Sequence, residues 1–530
     1  MRRPIKIGVI LLAGLVLTAG NADAEVGSFN LDSLLVKSVG GPGAVERLAS
    51  VETFYAHSAI TLNDIPGESE LYVALPDKIY YRVAIGPFEF AQAFDGHTAW
   101  TRDQNGMVSE LSGFERATLM SMVYFQTYSY LFDDRLPGGK EYLGTEVRDN
   151  VPVHKVAFYP MDQDTVVGYF DTGTGYQRYE TILMDNAEAA TTYLNHRNYH
   201  GVMVATESRA TLEGGLMVAT MSIDSLAFDA DFDRSIFLQP ISLTDYRFPA
   251  GSDSVIVPFK MVAGHIYIEA GVNGRRLMFI LDSGASTNML NAPAFEGIDL
   301  PVAAEMAAKG IAGYENVTLV QTDSLEIGGM VLLDQIVGTM PLDFISGQWI
   351  GDPPFGGVLG YDLLSRFPVL VDYQARELVF YDPSRFSHSG GGREVPFELT
   401  MQVPTIEAEL NGITGRFLVD LGNSLGLIVH RAFSLRHNLE EVLDNVQETS
   451  TGVGGVGGSA AGKTAYVASF AFGDVRISDL RVLLPLDAGG LSGSGDLAGN
   501  IGNLVLQQFR VLFDYRNRRL VFFGTSDGSR

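Results

Sequence analysis

Two stretches of this chain carry nearly the same instruction. Phe279-Ile280-Leu281-Asp282-Ser283-Gly284-Ala285-Ser286 and Phe417-Leu418-Val419-Asp420-Leu421-Gly422-Asn423-Ser424 each run a short apolar strand into an aspartate followed, two residues on, by a glycine. A carboxylate at the end of an apolar strand is costly to desolvate, so two in matched contexts point to a site that uses both. The match extends in both directions. Asn273-Gly274 and Asn411-Gly412 are hairpin signals at the same distance before Asp282 and Asp420. Downstream, Gly357-Val358-Leu359-Gly360 leads to Val371-Asp372-Tyr373, and Gly499-Asn500-Ile501-Gly502 leads to Phe513-Asp514-Tyr515. The second half is therefore one β-rich unit written twice, and pairing the copies about a pseudo-twofold axis brings equivalent positions face to face.

The strand, the Asp-Ser-Gly turn, the glycine-containing region beyond it and the Gly-x-x-Gly helix segment resemble the retropepsin-like aspartic peptidases, as a bacterial-type tandem covering about half the chain. The resemblance implies two retropepsin-like β-barrel lobes, 255–386 and 395–527, each giving one catalytic aspartate, Asp282 and Asp420. It implies a supporting turn of Ser283, Gly284 and Gly422, and a flap drawn from Gly310, Gly313 and Tyr314 in the first lobe and Gly454 and Gly455 in the second. A peptide or protein substrate is expected, with no cofactor and no metal. The second copy departs from the family at Leu421, where Thr or Ser is the rule. That hydroxyl normally braces the aspartate pair across the lobes, so its replacement bears on activity more than on fold.

Peptide hydrolysis without metal or covalent intermediate needs an acid and a base around one water. Two carboxylates in close contact cannot both ionise, so they share a proton: one draws a proton from water while the other donates to the scissile carbonyl. Glycine at 284 and 422 keeps a Cβ from crowding the pair. Three rival readings stay open. The chain is a catalytically degenerate, peptidase-like protein holding a peptide or lipid; the Asp282 lobes pair between two chains; or both aspartates merely cap their own turns.

Other chemistry fails on pattern. Asp171-Thr172-Gly173 matches the peptidase tripeptide better than Asp420-Leu421-Gly422, but a polar hairpin turn follows it and no Asn-Gly hairpin precedes it at the right offset. Asp372 and Asp514 repeat, yet each sits before Tyr and a basic turn, as structural partners do. His196 and His200 lack a helical stripe and a third ligand. The chain has no cysteine, so thiol chemistry and disulfides are both excluded. The glycine-rich run 451–458 lacks the Lys-Ser/Thr of a phosphate loop.

Arg2, Arg3 and Lys6 flank the apolar run from Ile7 to Leu17, and Ala22-Asp23-Ala24 gives a small-x-small cleavage pattern. Residues 1–24 thus read as a secretory signal peptide, too short in its apolar part for a stable membrane anchor, and the protein as periplasmic or secreted. The formal charge of -26 disfavours nucleic acid as a partner. Between the signal and the repeat, 25–245 reads mostly with period two: Glu70 to Ala74, Lys78 to Val83, Phe88 to Phe94, Val153 to Tyr159, Thr165 to Phe170, Tyr176 to Met184, Gly201 to Thr206 and Met217 to Ile223. One or two short helices over Leu31 to Val51, broken at Gly40-Gly41-Pro42, precede it and one apolar helix over Glu115 to Phe132 interrupts it. Phe94-Asp95-Gly96-His97-Thr98-Ala99-Trp100 and Gly168-Tyr169-Phe170-Asp171-Thr172-Gly173 resemble the LolA-like lipoprotein-sorting fold, which implies an antiparallel sheet wrapped on a helix and an apolar ligand as a candidate occupant. The fold class expected is mainly β. A linker is expected over 239–254 and a Gly/Ser hinge at 387–392.

Overall fold

The computed structural model describes residues 29–160, 165–184, 187–212, 217–309, 314–342, 349, 351–455, 458–486, 495 and 497–524. The expected signal segment, Gly310 and Gly313 lie outside the described residues. The chain divides into two compact units, one ending at Leu243 and the other running from Thr244 onward.

The N-terminal unit is built on one 13-stranded, wholly antiparallel sheet. Its first six strands, from Thr53–Leu62 to Val108–Glu110, form a meander outward from the centre. The remaining seven, from Gly138–Arg148 to Met217–Phe228, form a second meander that returns, so the last strand pairs with the first along Phe54↔Phe228. The helix Gly113–Gln126 joins the two outer ends and packs on Phe88–Phe94 and Ala99–Arg102 from one meander and Val151–Pro160 from the other. The sheet curves around this helix, burying Leu119 and Val123 completely. The helix ends earlier than its apolar composition suggests, because the chain reverses at Tyr128, which takes a left-handed φ of 55°. A single turn, Ser129–Leu131, follows it. Two short helices, Leu31–Ser38 and Pro42–Ser50, precede the sheet, the second with proline in its first turn. The Asp95 carboxylate caps its own turn by accepting from the N–H groups of His97 and Thr98, and the buried Trp100 donates from Nε1 to the Phe237 carbonyl at 2.8 Å.

The C-terminal unit contains both copies of the repeat. In the first, six strands close into a ring: His265–Val272, Arg275–Leu281, Phe355–Leu359, Met289–Asn291, Met330–Met340 and Tyr314–Ile327. In the second, Val403–Leu410, Ile413–Val419, Gly499–Ile501, Leu427–Val429, Val475–Pro485 and Gly458–Phe472 do the same. Both Asn-Gly turns take left-handed backbone at both positions, Asn273 and Gly274 at 48° and 79°, Asn411 and Gly412 at 50° and 81°. This is the geometry that twists a two-residue hairpin correctly.

A third sheet of six strands joins the lobes in the order Ser254–Pro258, Glu377–Tyr381, Val369–Asp372, Phe509–Asp514, Arg519–Gly524, Arg393–Pro396. The order reads the same from either end once the copies are matched, so a pseudo-twofold axis passes between Val369–Asp372 and Phe509–Asp514. Those strands pair antiparallel through Val369↔Phe513, Leu370↔Leu512 and Val371↔Val511. One continuous apolar core runs through both lobes beneath it. The expected linker is structured over much of its second half. Fully buried Arg366 requires a carboxylate and finds Asp245, Tyr246–Arg247 pairs with Met330–Met340, and Ser254 opens the shared sheet. Asp171, in the other unit, accepts from the N–H groups of Gly173 and Thr174 and serves its own turn. Asp372 likewise accepts from Gln374 and Ala375, and Asp514 from Asn517 and Arg519.

Phe513 lies at the centre of the shared sheet with no exposed surface. Truncating it in Phe513→Ala is expected to remove about 3–5 kcal/mol from the urea transition of the C-terminal unit. An unchanged midpoint would show that the strand pair does not hold the lobes.

Candidate active site

Each aspartate is delivered by the same device. A strand next to the Gly-x-x-Gly run ends in a tight turn, with Asp282 N–H donating to the Leu359 carbonyl and Asp420 N–H to the Ile501 carbonyl, both at 2.9 Å. The lobes place the two side chains side by side, so that a Cβ on Gly284 would meet Asp420 Oδ1 at 2.5 Å and Asp282 Oδ1 at 3.0 Å. Glycine is required on both sides of the pair, since a Cβ on Gly422 would collide with the Asp282 carboxyl group. Asp282 keeps some accessible surface, but neighbouring atoms surround its carboxyl densely. This burial, and next the charge of Asp420, push its pKa well above the ordinary carboxylate value. Donation from the Gly284 N–H at 2.7 Å opposes the rise without cancelling it.

The two sides of the pair are not alike. Ser283, fully buried, donates from Oγ to the Val419 carbonyl at 2.8 Å and accepts from the Leu421 N–H at 2.9 Å, bracing the second lobe from the first. Leu421 returns no such bond and is buried in the shared core. The reciprocal brace comes from Asn503. Its Nδ2 donates to the Leu421 carbonyl at 2.7 Å and to the Gly264 carbonyl of the first lobe at 2.9 Å, while Tyr373 of the first lobe donates to its Oδ1 at 2.7 Å.

Asp420 is also the better supplied with donors. Its Oδ1 accepts from the N–H groups of Gly422 and Asn423, and its Oδ2 from Asn500 Nδ2 at 2.8 Å. Asn500 stands where the first lobe has Val358, as the strand pairings Ile280↔Val358 and Leu418↔Asn500 show. His265 is buried close by. Burial lowers its pKa, and the Asp420 charge offsets part of that. Sequence reasoning passed over Asn500, Asn503, His430 and His265. Comparing the two Gly-x-x-Gly runs position by position singles out Asn500, whereas nothing local marks the others.

The three flap candidates among the described residues fall on paired strands. Tyr314 opens the strand Tyr314–Ile327 opposite Lys309, and Gly454 and Gly455 end the strand Asp444–Gly455 opposite Ser459 and Gly458. Among the described residues, no group of three or more His, Asp or Glu side chains converges as a metal site, and no helix is long and apolar enough to cross a membrane.

A family model described as aspartyl protease matches residues 268–363, which include Asp282 and stop short of Asp420. No curated protein matches the chain. Among solved structures, an aspartic proteinase from Irpex lacteus aligns over 52% of this chain and 98% of its own at 13% identity and a TM-score of 0.36. A domain described as an outer membrane lipoprotein-sorting protein from Vibrio parahaemolyticus aligns over 37% and 94% at 13% identity and 0.28. A DUF1329 family protein from Desulfovibrio piger aligns over 39% and 95% at 11% identity and 0.29. At these values the structural likenesses carry no functional inference. What the comparisons show of this chain is a resemblance of residues 268–363 to the aspartyl protease family.

Two outcomes test the geometry. Leu421→Thr is expected to bury a hydroxyl in the apolar core and cost about 1–3 kcal/mol, and Ser283→Ala about as much by leaving Leu421 N–H and Val419 C=O unpaired. Chemical denaturation of both variants checks this, and a Leu421→Thr protein as stable as the parent would mean a free acceptor awaits the hydroxyl. The raised pKa of Asp282 makes its protonated form the folded one, so between the unfolded and folded pKa values the native state binds the extra proton and stability falls as pH rises. Asp282→Asn is therefore expected to melt higher than the parent at neutral pH, with the difference vanishing below the ordinary carboxylate range.

Proposed function

We propose that the C-terminal unit is an aspartic-type endopeptidase whose Asp282–Asp420 pair hydrolyses peptide bonds. The observation that carries this reading is the contact of two carboxyls, one from each lobe, with the pKa of Asp282 raised by burial and by its partner. The ionised member takes a proton from water as the water oxygen bonds to the scissile carbon. The carbonyl oxygen takes the proton of the other member, giving a neutral diol. Return of a diol proton and protonation of the nitrogen then break the C–N bond, releasing acid and amine with the pair restored. On this reading the hairpins bearing Tyr314, Gly454 and Gly455 close over the substrate and exclude water.

A second reading, a catalytically degenerate peptidase-like protein that holds a peptide or lipid, is favoured by Leu421 and by a family match that ends before Asp420. The N-terminal sheet unit is then the place for an apolar ligand. Under either reading residues 1–24 serve as an export signal and the protein works in the periplasm or outside the cell.

The deciding experiment incubates the mature protein with a mixed peptide library from acid to neutral pH, with and without a statine-type inhibitor. Inhibitable cleavage that is lost in Asp282→Asn and in Asp420→Asn is expected, since an amide cannot exchange the proton. Peptide retention without cleavage in the parent protein would favour the second reading.

A further inference from the structure

The second lobe contains a buried polar chain with no counterpart in the first. Asn500, 4% exposed, donates from Nδ2 to Asp420 Oδ2 at 2.8 Å, and its Oδ1 lies 2.7 Å from His430 Nε2. His430 has no exposed surface. The amide turns its NH2 toward Asp420, donating from Nδ2 to Oδ2, and this sets the direction of the second bond. Its carbonyl oxygen then faces His430, whose Nε2 must carry hydrogen. At the equivalent places the first lobe has Val358, which donates nothing, and Asn291, which is engaged elsewhere, its Oδ1 accepting from the Leu342 N–H.

We propose that Asn500, oriented by His430, is a positioning residue that keeps the negative charge of the pair on Asp420 and the proton on Asp282. This rests on the peptidase reading and gives its two carboxyls their parts: Asp420 takes the proton from water, and Asp282 gives its own to the carbonyl oxygen. With the amide turned by His430, the second lobe presents Asp420 with three donors, Gly422 N–H, Asn423 N–H and Asn500 Nδ2, while Asp282 accepts from backbone N–H alone, Gly284 foremost, and faces its partner's charge. The ionisable groups facing the pair from other elements are His265, Tyr515 and, beyond Tyr515, Tyr361 and Arg518. These stay in place in the variants below, so their contributions cancel; His430, itself ionisable and behind Asn500, is unchanged only in Asn500→Val, which therefore carries the comparison.

The test compares the parent with Asn500→Val, the residue of the first lobe, by the pH profile of kcat/KM on a cleaved peptide. It adds a carboxyl-carbon NMR titration of aspartate-labelled protein, which needs no substrate. Loss of the charge-assisted bond is expected to move the acid limb up by about one pH unit, about a tenfold loss of kcat/KM at fixed acidic pH, with KM little changed. The first carboxyl titration of the pair should move the same way. Should Asn500→Val fold poorly, His430→Phe removes the orienting donor at similar volume and should shift the limb in the same direction, whereas His430→Gln, which can still donate to Oδ1, should restore it. Limb and titration unmoved in folded Asn500→Val and His430→Phe would overturn the proposal while leaving the peptidase reading intact. Absence of cleavage in the parent with the titration still shifted would overturn the peptidase reading and leave the charge assignment standing.

Discussion

Two carboxyl groups pressed together where two lobes meet cannot both be charged, and the C-terminal unit is arranged around tolerating that. Left to themselves the groups would separate and hydrate. They are held because each closes an apolar strand inside a closed ring of strands, and because the rings are joined by one six-stranded sheet over one core. Moving Asp282 away from Asp420 means shearing Val369–Asp372 past Phe509–Asp514 or opening that core. Both cost far more than the repulsion of one shared charge, which a single retained proton removes. Gly284 and Gly422 complete the constraint, since any side chain there would occupy the space the carboxyls need.

Within this frame the two copies have diverged into different jobs. Ser283 braces the second lobe through its hydroxyl, and the return brace is an amide, Asn503, that ties the Leu421 and Gly264 carbonyls and takes the Tyr373 hydroxyl. A serine or threonine at 421 is thus not needed to connect the lobes, and Leu421 is free to fill the core. Asymmetry also falls on the carboxyls themselves, through the amide at Asn500 where the first copy has Val358. A symmetric pair would give both carboxyls the same donors, whereas here the Asn500 amide serves Asp420 and the first lobe has no side-chain donor at the matching position.

The N-terminal unit obeys a simpler rule. Two meanders sharing their central strands need one connection between their outer ends, and the apolar helix Gly113–Gln126 is that connection. Burying its faces against strands of both meanders bends the sheet around it. The strands with clean alternation were visible in sequence. Gly138–Arg148 and Ala187–Tyr199 were not, because polar residues occupy both of their faces, and Thr53–Leu62 finds one of its two partners, Met217–Phe228, far along the chain.

The sequence alone determined the repeat, the two Asn-Gly hairpins, the aspartate turns and the need for glycine beside them, because each is written in a few adjacent residues whose backbone preferences act locally. It equally marked Asp171 as a turn residue, since the turn that uses it follows at once. Only the tertiary structure decided that the two aspartates meet within one chain, that Asn503 replaces a hydroxyl, that Asp245 belongs with Arg366 rather than to a free linker, and that His430 stands behind Asn500. Those facts depend on groups separated by tens to hundreds of residues, and nothing in local propensity records which distant strand a given strand will pair with. That choice is made by the closing of the rings and the burial of the common core.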